Sequence, residues 1–421
     1  MDHFDFKAGE LRCEAVPLRE IAREAGTPVY VYSAATIRHH ARVMKAALEP
    51  LGDPLIAFAV KANPNPAVLA ILAAEGLGAD IVSIGEYRQA RAAGITPDRV
   101  LFSGVGKDKD EMAEALAGGV CQFNVESVEE ARTLSEVAVE AGLTAPLGLR
   151  INPDVEAGTH AKITTGIADS KFGIPAREAM EAFRIASRLP GLKVQGITVH
   201  IGSQLTDLAP LEASFRRVGE LIGELRGEGI SIDLADLGGG LGVPYEPDQP
   251  EPPTPAVYGA MVARVTNGWN VRLAFEPGRL IVANAGVLLA RVIRVKPGER
   301  HPWIIVDAAM NDLMRPALYD AYHHIEAVRP TGEHIIANVV GPVCESGDTF
   351  AMARDMDRVD TDDLVAFRSA GAYGAAMSSG YNSRPLTPEV LVDGKQWALV
   401  RRRVDLADCA SLPLPKWLLP R

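Results

Sequence analysis

The chain has little of what marks proteins that bind nucleic acids or membranes. Its 421 residues carry a net charge of −11, the wrong sign for a sequence-independent grip on nucleic acid or on an anionic membrane surface. The most apolar run, residues 280–290, falls far short of the roughly 20 residues that span a bilayer. The N-terminus lacks a basic stretch followed by an apolar one, so we expect no secretory signal. These absences predict a cytoplasmic protein whose partners are small molecules or other protein chains.

Cysteine frameworks and metal-site motifs are also scarce. The four cysteines form no CxxC pair and lie far apart, at Cys13, Cys121, Cys344 and Cys409. Such spacing fits neither a zinc site nor a disulfide framework, so we expect reduced, mostly buried thiols. Two histidine pairs lack other ligands at metal spacing, namely His39-His40 and His323-His324. The chain has no GxSxG, HExxH or Walker motif, and we predict no metal site.

The composition is that of a folded globular protein, and the pattern is that of a parallel sheet. Hydrophobic residues make up 47% and charged residues 23%, which excludes disorder, collagen and coiled coil. Between residues 55 and 279, short runs rich in Val and Ile alternate with longer amphipathic runs. Eight strands, each followed by a helix, favour a (β/α)8 TIM-like barrel, but a strand count alone leaves an open doubly wound sheet as the alternative. The candidate strands begin at Leu55, Gly78, Arg99, Val120, Pro146, Val194, Ile232 and Val271.

Helices between these strands have recognisable ends. Asn65 can cap the helix that follows it, with a proline at the first helical position. Ser127, with Glu130 three residues later, predicts a capping box, and Gly142 can close the same helix. A further helix begins at Ser33, before the first strand, and we expect it to fill a position in the outer ring of helices.

The alternation of predicted strands and helices ends after residue 280. Segments such as GVLLARVIRVK and PEVLVDG are β-rich and bounded by turns, with hardly a long helix among them, which predicts a second, all-β domain of sandwich or barrel type. The N-terminal stretch GELRCEAVPL could add a strand to that domain and make it discontinuous. We therefore predict a barrel over residues 30–280 and a β-rich domain over residues 1–29 and 281–421.

In a βα barrel the active site lies at the C-terminal ends of the strands. Lys61 ends the first predicted strand, where it could form a Schiff base or simply reach solvent. The glycines after the seventh and eighth strands would let backbone N–H groups approach a phosphate, although plain tight turns would also explain them. Glu276 could pair with Arg272 or keep the ring nitrogen of a heterocycle protonated, and His200 could be a core histidine. An amine, phosphate turns and a carboxylate together predict pyridoxal phosphate.

Two motifs of the second domain carry further candidate residues. Cys344 lies in a predicted tight turn, CESGD, where an accessible thiol could donate a proton; a small buried residue is the alternative. Arg315 and Tyr319 are four residues apart and share a face if their segment is helical. An arginine is a natural partner for a substrate carboxylate, although a solvated arginine would fit the same spacing.

Several segments together resemble the diaminopimelate decarboxylase family, in the alanine racemase-like (fold-type III) class of pyridoxal phosphate enzymes. They are AFAVKAN at 57–63, HIGSQ at 200–204, GGGLG at 238–242, EPGR at 276–279, CESGD at 344–348 and GAYGAAMSSGYNSRP at 371–385. MNDLMRPALYDAYH at 310–323 is more similar to this family than to the ornithine- and arginine-specific relatives. The resemblance runs in unbroken order from residue 26 to residue 385, nearly the whole chain.

The resemblance implies a role for each matching residue. Lys61 would bind the cofactor covalently, His200 would stack on its pyridine face, and Glu276 would keep its ring nitrogen protonated. Cys344 of a second subunit would protonate the carbanion, which implies a homodimer with shared active sites. The phosphate would be bound by Ser203, Gly238, Gly239, Gly240, Tyr373 and the turn formed by Glu276, Pro277, Gly278 and Arg279. The distal end of the substrate would be bound by Arg279, Arg315, Tyr319, Glu345 and Tyr373, with supporting roles for Asp80 and Arg150 and an active-site loop at 152–174.

The implied reaction is decarboxylation of meso-2,6-diaminopimelate at its D-centre to L-lysine and carbon dioxide, the last step of lysine biosynthesis. Two alternatives stay open at this point. One is a decarboxylase of the same fold for ornithine, arginine or a carboxylated polyamine, which would not need contacts to a distal carboxylate. The other is a pyridoxal phosphate carrier or regulatory homologue without turnover, although the intact second domain and Cys344 argue against it.

Overall fold

The computed structural model describes residues 2–155, 171–246, 251–405 and 417. The chain folds into two compact units, one formed by Ala34–Ala285 and the other by Asp2–Ser33 together with Gly286–Arg421. The sequence predicts that the barrel domain begins at residue 30. In the structure, residues 30–33 instead complete a strand, Val29–Ser33, that belongs to the second unit. Across the described ranges, no helix is long and apolar enough to cross a membrane.

The first unit is a closed barrel of eight parallel strands. Each strand pairs with the next along the chain, and the eighth pairs back with the first through Ala274 and Leu55. This closure confirms the predicted barrel and makes the doubly wound alternative wrong. In chain order the strands are Leu55–Ala59, Gly78–Ile81, Val100–Phe102, Gln122–Val125, Ala145–Asn152, Leu192–Thr198, Leu234–Asp236 and Arg272–Phe275.

Helices surround the barrel strands. The helix Ala34–Leu48 packs against Pro66–Ala74 and Pro255–Val265, so it fills a position in the outer ring as predicted. The remaining helices of this unit are Ile84–Ala92, Lys109–Gly118, Val128–Ala141, Ala179–Ala186, Ala209–Gly227 and the short Arg279–Val282.

The predicted helix caps are mostly present. The Asn65 side chain accepts the N–H of Ala67, and Ser127 Oγ accepts the N–H of Glu130. The capping box is wrong in its second half, because the Glu130 carboxylate accepts the N–H of Glu126 and the ammonium of Lys107 instead of the N–H of Ser127. The contact with the buried Lys107, 23 residues earlier in the chain, therefore replaces the second half of the predicted capping box.

The second unit is built on a large mixed sheet. Its strand Val29–Ser33 lies between Gly286–Lys296, which runs antiparallel to it, and Glu389–Asp393, which runs parallel. The other strands of this sheet are Trp303–Val306, Ile325–Ala327, His334–Val340, Thr349–Asp357, Leu364–Phe367 and Gln396–Arg401, and one short helix, Arg315–Tyr319, interrupts them.

The N-terminal stretch forms a sheet of its own rather than adding to the large one. Glu10–Cys13 pairs with Phe4–Lys7 and Val16–Pro17. Its side chains still share one hydrophobic core with the large sheet, which includes Leu11 and Val390. The β-rich domain is thus discontinuous as predicted, but it is held to its N-terminal part by side-chain packing and by the strand Val29–Ser33.

Candidate active site

Lys61 and Asp80 form an ion pair at the C-terminal ends of the first two barrel strands. Lys61 lies in a 3₁₀ turn, Val60–Ala62, just after the first strand, and its Nζ is 3.0 Å from Asp80 Oδ2. The Asp80 side chain is 0% exposed and the Lys61 side chain 42% exposed. Asp80 Oδ1 is buried and has no hydrogen-bond partner among the described residues. The lysine is therefore both paired and accessible, and the acid that holds it keeps an unused acceptor atom.

Glu276 is a second buried acid, and it follows the eighth strand. Its Oε1 accepts hydrogen bonds from Ser103 Oγ at 3.2 Å and from Asn124 Nδ2 at 3.4 Å. Burial raises the pKa of Glu276 well above its usual value, and the charges of Asp236 and Asp80 act in the same direction. Arg272, the alternative partner considered for Glu276, lies 3.3 Å from an aspartate in the turn before the first strand instead. Burial thus favours the protonated form of Glu276.

Asn124 and Asp236 complete a polar cluster inside the barrel that the sequence reasoning missed. Asn124 Nδ2 donates to Asp236 Oδ2 at 2.9 Å, and the N–H of Gly238 donates to Asp236 Oδ1 at 3.0 Å. Asn124 Oδ1 accepts from Gln122 and Thr198. The signal was present in the sequence, because Gln122 and Asn124 alternate along a short strand and so share one face. Polar residues on the inner face of a barrel strand point to a site.

His200 is held as a neutral imidazole. The N–H of Gly239 donates to its Nδ1 at 3.3 Å, so that nitrogen accepts and carries no proton. Removal from water lowers the pKa of His200 well below its usual value, and the positive charges of Arg150 and Lys61 lower it further. The ring can therefore offer an uncharged face to a bound heterocycle.

The glycine-rich turn requires glycine for steric reasons. Gly238 and Gly240 have φ of +64° and +111°, in the left-handed region. A Cβ at Gly239 would lie 2.2 Å from the main-chain oxygen of Glu276, and one at Gly240 would lie 2.5 Å from that of Gly202. The N–H of Leu205 donates to the Gly240 oxygen at 2.8 Å. Two turns therefore pack backbone against backbone, which suits a phosphate cradle.

Arg279 joins the ends of the sixth and eighth strands. Its Nη2 donates to Ser203 Oγ at 3.1 Å and its Nη1 donates to the Tyr245 hydroxyl at 2.8 Å. Arg279 is buried, and it begins a short helix directly after Gly278. Tyr245 escaped the sequence reasoning because it lies in a loop with no regular pattern. The predicted residues Ser203 and Arg279 are thus brought into contact.

Arg150, for which the resemblance implies a supporting role, is buried and forms an ion pair with Glu126. Its Nη1 is 2.8 Å from Glu126 Oε1, and Glu126 Oε2 accepts the N–H of Gly173 at 2.9 Å. The Arg150 guanidinium also lies over the Phe172 ring, 4.8 Å from its centroid. The predicted active-site loop at 152–174 lies largely outside the described residues, as does Cys409.

The second unit carries the other predicted residues. Arg315 and Tyr319 lie on the helix Arg315–Tyr319, as the spacing predicted. Cys344 is exposed, and its N–H donates to Asn382 Oδ1 at 3.4 Å. Glu345 is exposed, and its Oε2 accepts the Tyr381 hydroxyl at 2.8 Å. Tyr373 has φ of +57°, uncommon for a tyrosine.

Asp348 connects the turn at residues 344–348, which carries Cys344, to the segment 310–323, which carries Arg315. Its carboxylate accepts the N–H of Val343 at 2.7 Å and the N–H of Met310 at 2.6 Å. A Cβ at Gly341 would collide with this carboxylate, which explains the glycine at the start of the turn. One buried side chain thus joins two motifs through a hydrogen bond between residues 38 positions apart, a contact that local patterns do not reveal.

The barrel residues fit pyridoxal phosphate. The amine of Lys61 is accessible, and Asp80 Oδ1 is a buried acceptor that lacks a partner among the described residues. At Gly239 and Gly240 an added Cβ would collide with main-chain oxygens, so only glycine allows the two turns to approach this closely and to present backbone N–H groups to a phosphate. Glu276 supplies the acid partner that a ring nitrogen needs. Where the structure describes the chain, no group of three or more His, Cys, Asp or Glu side chains could hold a metal ion.

Comparisons with known proteins agree with this site. Residues 34–283 match the family model described as pyridoxal-dependent decarboxylase, pyridoxal binding domain. The diaminopimelate decarboxylase of Zymomonas mobilis is 56% identical over 96% of this chain and 97% of its own length. That of Vibrio cholerae is 48% identical over 98% and 99%. A crystal structure of the M. jannaschii enzyme in complex with L-lysine has a TM-score of 0.95 at 36% identity, covering 99% of both chains.

Proposed function

The chain belongs to the diaminopimelate decarboxylases, within the pyridoxal-dependent decarboxylases, and from this premise we propose a role for each site residue. The enzyme removes carbon dioxide from meso-2,6-diaminopimelate to give L-lysine, a reaction of lysine biosynthesis, with pyridoxal phosphate as cofactor. The observation that best supports the residue roles is the accessible Lys61 amine, 3.0 Å from buried Asp80 in a barrel that also holds Glu276.

The barrel residues would hold the cofactor. Lys61 would bind its aldehyde carbon, His200 its ring face and Glu276 its ring nitrogen. Bound pyridoxal phosphate supplies an electron sink for the electron pair left behind when carbon dioxide departs. The phosphate would be held by the two glycine turns and their neighbours, namely Ser203, Gly238, Gly239, Gly240, Pro277, Gly278, Arg279 and Tyr373.

The chain's own groups control charge and water around the reaction. Asp80 holds the Lys61 ammonium in place by its 3.0 Å contact. Burial raises the pKa of Glu276 and so favours the protonated form of the acid that would face the ring nitrogen. Because these acids are buried, their electrostatic contacts are stronger than they would be in water.

The second unit would supply the substrate contacts and the proton. Arg315, Tyr319 and Glu345 would bind the distal amino acid group, together with Arg279 and Tyr373. Cys344 would donate a proton to the reacting carbon. We propose that the enzyme is a homodimer in which Cys344 and Glu345 serve the partner's barrel. The exposure of both side chains in the single chain supports this proposal. A cytoplasmic location stays a prediction.

One product analysis tests the substrate and Lys61 together. The purified holoenzyme is incubated with meso-diaminopimelate, ornithine and arginine side by side, and the products are separated. We expect carbon dioxide and L-lysine from the first substrate far in excess of any product from the others. Borohydride reduction followed by peptide mapping should place the cofactor on Lys61, and Lys61→Ala should abolish both the label and turnover. A label on another lysine would contradict the assignment, and so would a preference for ornithine.

A further inference from the structure

His323 belongs to a histidine pair that no metal or catalytic role explains, and it contacts Arg315. Both residues are buried, with His323 1% exposed and Arg315 6% exposed. Arg315 Nη1 lies 2.9 Å from His323 Nε2. His323 Nδ1 lies 2.8 Å from the main-chain oxygen of Arg368. One ring nitrogen of His323 therefore contacts a group that can only donate, and the other contacts a group that can only accept.

These partners select one tautomer of the ring. A carbonyl oxygen can only accept, so His323 Nδ1 carries the proton and donates it to Arg368. A guanidinium can only donate, so His323 Nε2 must be the unprotonated acceptor for Arg315. A doubly protonated ring would turn an N–H toward the Arg315 guanidinium, which would break the contact and place two cations side by side. The contact therefore requires neutral His323.

The backbone that carries His323 is fixed on both sides. Arg354 Nη1 donates to the main-chain oxygen of His323 at 2.8 Å, and the Arg354 guanidinium lies over the Tyr322 ring, 3.9 Å from its centroid. The N–H of Arg368 donates to the main-chain oxygen of His324 at 2.8 Å. The ring of His323 thus has little freedom to follow Arg315 if the arginine turns.

A guanidinium presents its five N–H donors in one rigid plane. Anchoring one edge of that plane on a fixed acceptor sets the direction of the remaining donors. A bidentate grip on a carboxylate depends on that direction, because both N–H groups must meet both oxygens at once. The ring that contacts Arg315 Nη1 therefore restricts the orientation of the guanidinium.

We propose that His323 is a positioning residue for Arg315 and that it sets the enzyme's preference for substrates with a distal carboxylate. The inference rests on the proposed function, in which Arg315 binds that carboxylate. His323 touches neither substrate nor cofactor in this account, and it acts only through Arg315. Its removal should therefore weaken recognition of the distal carboxylate more than it slows the chemistry at the reacting carbon.

Two substitutions separate the two contacts of the ring. The amide of His323→Asn reaches the position of Nδ1, so it can still donate to the main-chain oxygen of Arg368, but it removes the acceptor that Nε2 offers to Arg315. The amide of His323→Gln reaches the position of Nε2, so its oxygen can still accept from Arg315. His324→Asn is the matched control, because it makes the same change at the neighbouring histidine, which contacts the N–H of Arg368 through its main-chain oxygen.

The substrates compared are meso-diaminopimelate and D-lysine, which has the same reacting end but no distal carboxylate. In His323→Asn holoenzyme we expect kcat/KM for meso-diaminopimelate to fall about 10-fold to 100-fold, mainly through KM, as when a buried donor loses its acceptor. The kcat/KM for D-lysine should stay within about twofold of the parent value. His323→Gln should keep most of the preference, and His324→Asn should keep all of it.

Equilibrium binding supplies a readout that does not depend on turnover. L-lysine retains the distal carboxylate, so its Kd for the holoenzyme, measured by calorimetry, should rise by the same factor in His323→Asn. Arg315→Ala with His323→Asn should bind L-lysine no more weakly than Arg315→Ala alone, because His323 acts through Arg315. Equal losses for both substrates would show a merely structural role and overturn the proposal, and so would additive losses in the double variant.

Failure of the proposed function would look different, because Arg315→Ala would then leave the parent's preference for meso-diaminopimelate over D-lysine unchanged. A measurement on the unmodified ring covers the case in which His323→Asn does not fold. The ¹⁵N spectrum of the parent holoenzyme, with the His323 signals assigned by their loss in His323→Gln, should show a neutral ring protonated on Nδ1. A ring that is protonated on both nitrogens at neutral pH would overturn the proposal.

Discussion

The barrel and the second unit present their functional side chains to water in opposite ways. In the barrel, Asp80 and Glu276 are buried, and burial raises the pKa of Glu276. In the second unit, Cys344 and Glu345 are exposed. From this difference we infer a division of work, in which buried acids of the barrel tune the charge around the proposed cofactor site, while the proposed proton donor lies on an exposed surface that another chain could approach.

Arg315 is the informative exception within the second unit. It is buried like the barrel acids, and its Nη1 contacts a neighbouring ring, that of His323. A cation that must recognise a carboxylate needs a fixed direction but must keep its charge available, and a neutral acceptor satisfies both needs. Burial thus changes the proton affinity of Glu276 in the barrel, whereas the contact with His323 restricts the orientation of Arg315 in the second unit.

The largest effect on turnover should come from the exposed Cys344 of the second unit. Cys344→Ala should lower kcat by about 10²-fold to 10⁴-fold, the contribution of a positioned general acid, while the holoenzyme keeps its cofactor. Stopped-flow measurement of carbon dioxide release and cofactor absorbance at equilibrium would separate the two. A variant that turns over as fast as the parent would remove Cys344 from the mechanism.

A somewhat smaller effect is expected for the buried acid of the barrel. Glu276→Gln keeps the shape of the side chain but cannot exchange a proton with a ring nitrogen, so kcat should fall by about 10²-fold to 10³-fold. Unlike Cys344→Ala, it should also alter the absorbance of the bound cofactor, because the electronic state of the ring changes. Unchanged absorbance together with normal turnover would contradict the role of Glu276.

The next substitution tests whether the charge of Asp236 contributes to the raised pKa of Glu276. Asp236→Asn removes a negative charge that raises the pKa of Glu276, and it places an amide where a carboxylate accepts two donors. We expect cofactor affinity to fall about 10-fold, as when a buried polar group loses a partner. Ser103→Ala removes a neutral hydroxyl, which donates to Glu276 at 3.2 Å and accepts from Asn124 at 3.1 Å, so it is the matched control and should weaken binding less. Equal losses in the two variants would argue against a role for the charge.

The smallest predicted effect is a pH dependence of the barrel's stability. Burial raises the pKa of Glu86 from 4.5 to about 7, so this group binds a proton more tightly in the folded protein than in the unfolded chain. Its contribution to stability is complete below pH 4.5 and is lost as pH rises through about 7. Melting temperatures of the apoprotein should therefore fall less over this window in Glu86→Gln than in the parent. Parallel pH profiles would contradict the prediction.

Local patterns in the sequence account for much of the fold and for part of the site. Strand periodicity predicted the eight barrel strands, and turn chemistry predicted the caps at Asn65 and Ser127. Contacts between distant segments were beyond such patterns. Lys107 draws Glu130 out of its capping box, and Asn124 joins Asp236 to Glu276 across the barrel.

The same limit applies to His323, which looked like half of an unused histidine pair. Only the folded chain shows that its two ring nitrogens meet Arg315 and the Arg368 carbonyl. The resemblance to a known family named the residues that would touch cofactor and substrate. It did not show which neighbours set their charge and direction, because those neighbours act through three-dimensional contacts that no short motif records.

The division of work between the two units is tested most directly by mixing two inactive variants. Lys61→Ala and Cys344→Ala proteins are combined in equal amounts, dissociated and allowed to reassociate. If each site takes Lys61 from one subunit and Cys344 from the other, half of the dimers contain one intact site, and activity should recover to about a quarter of the parent value. Activity that stays at the mean of the two variants would show that Lys61 and Cys344 do not come from different subunits, and would contradict the shared site.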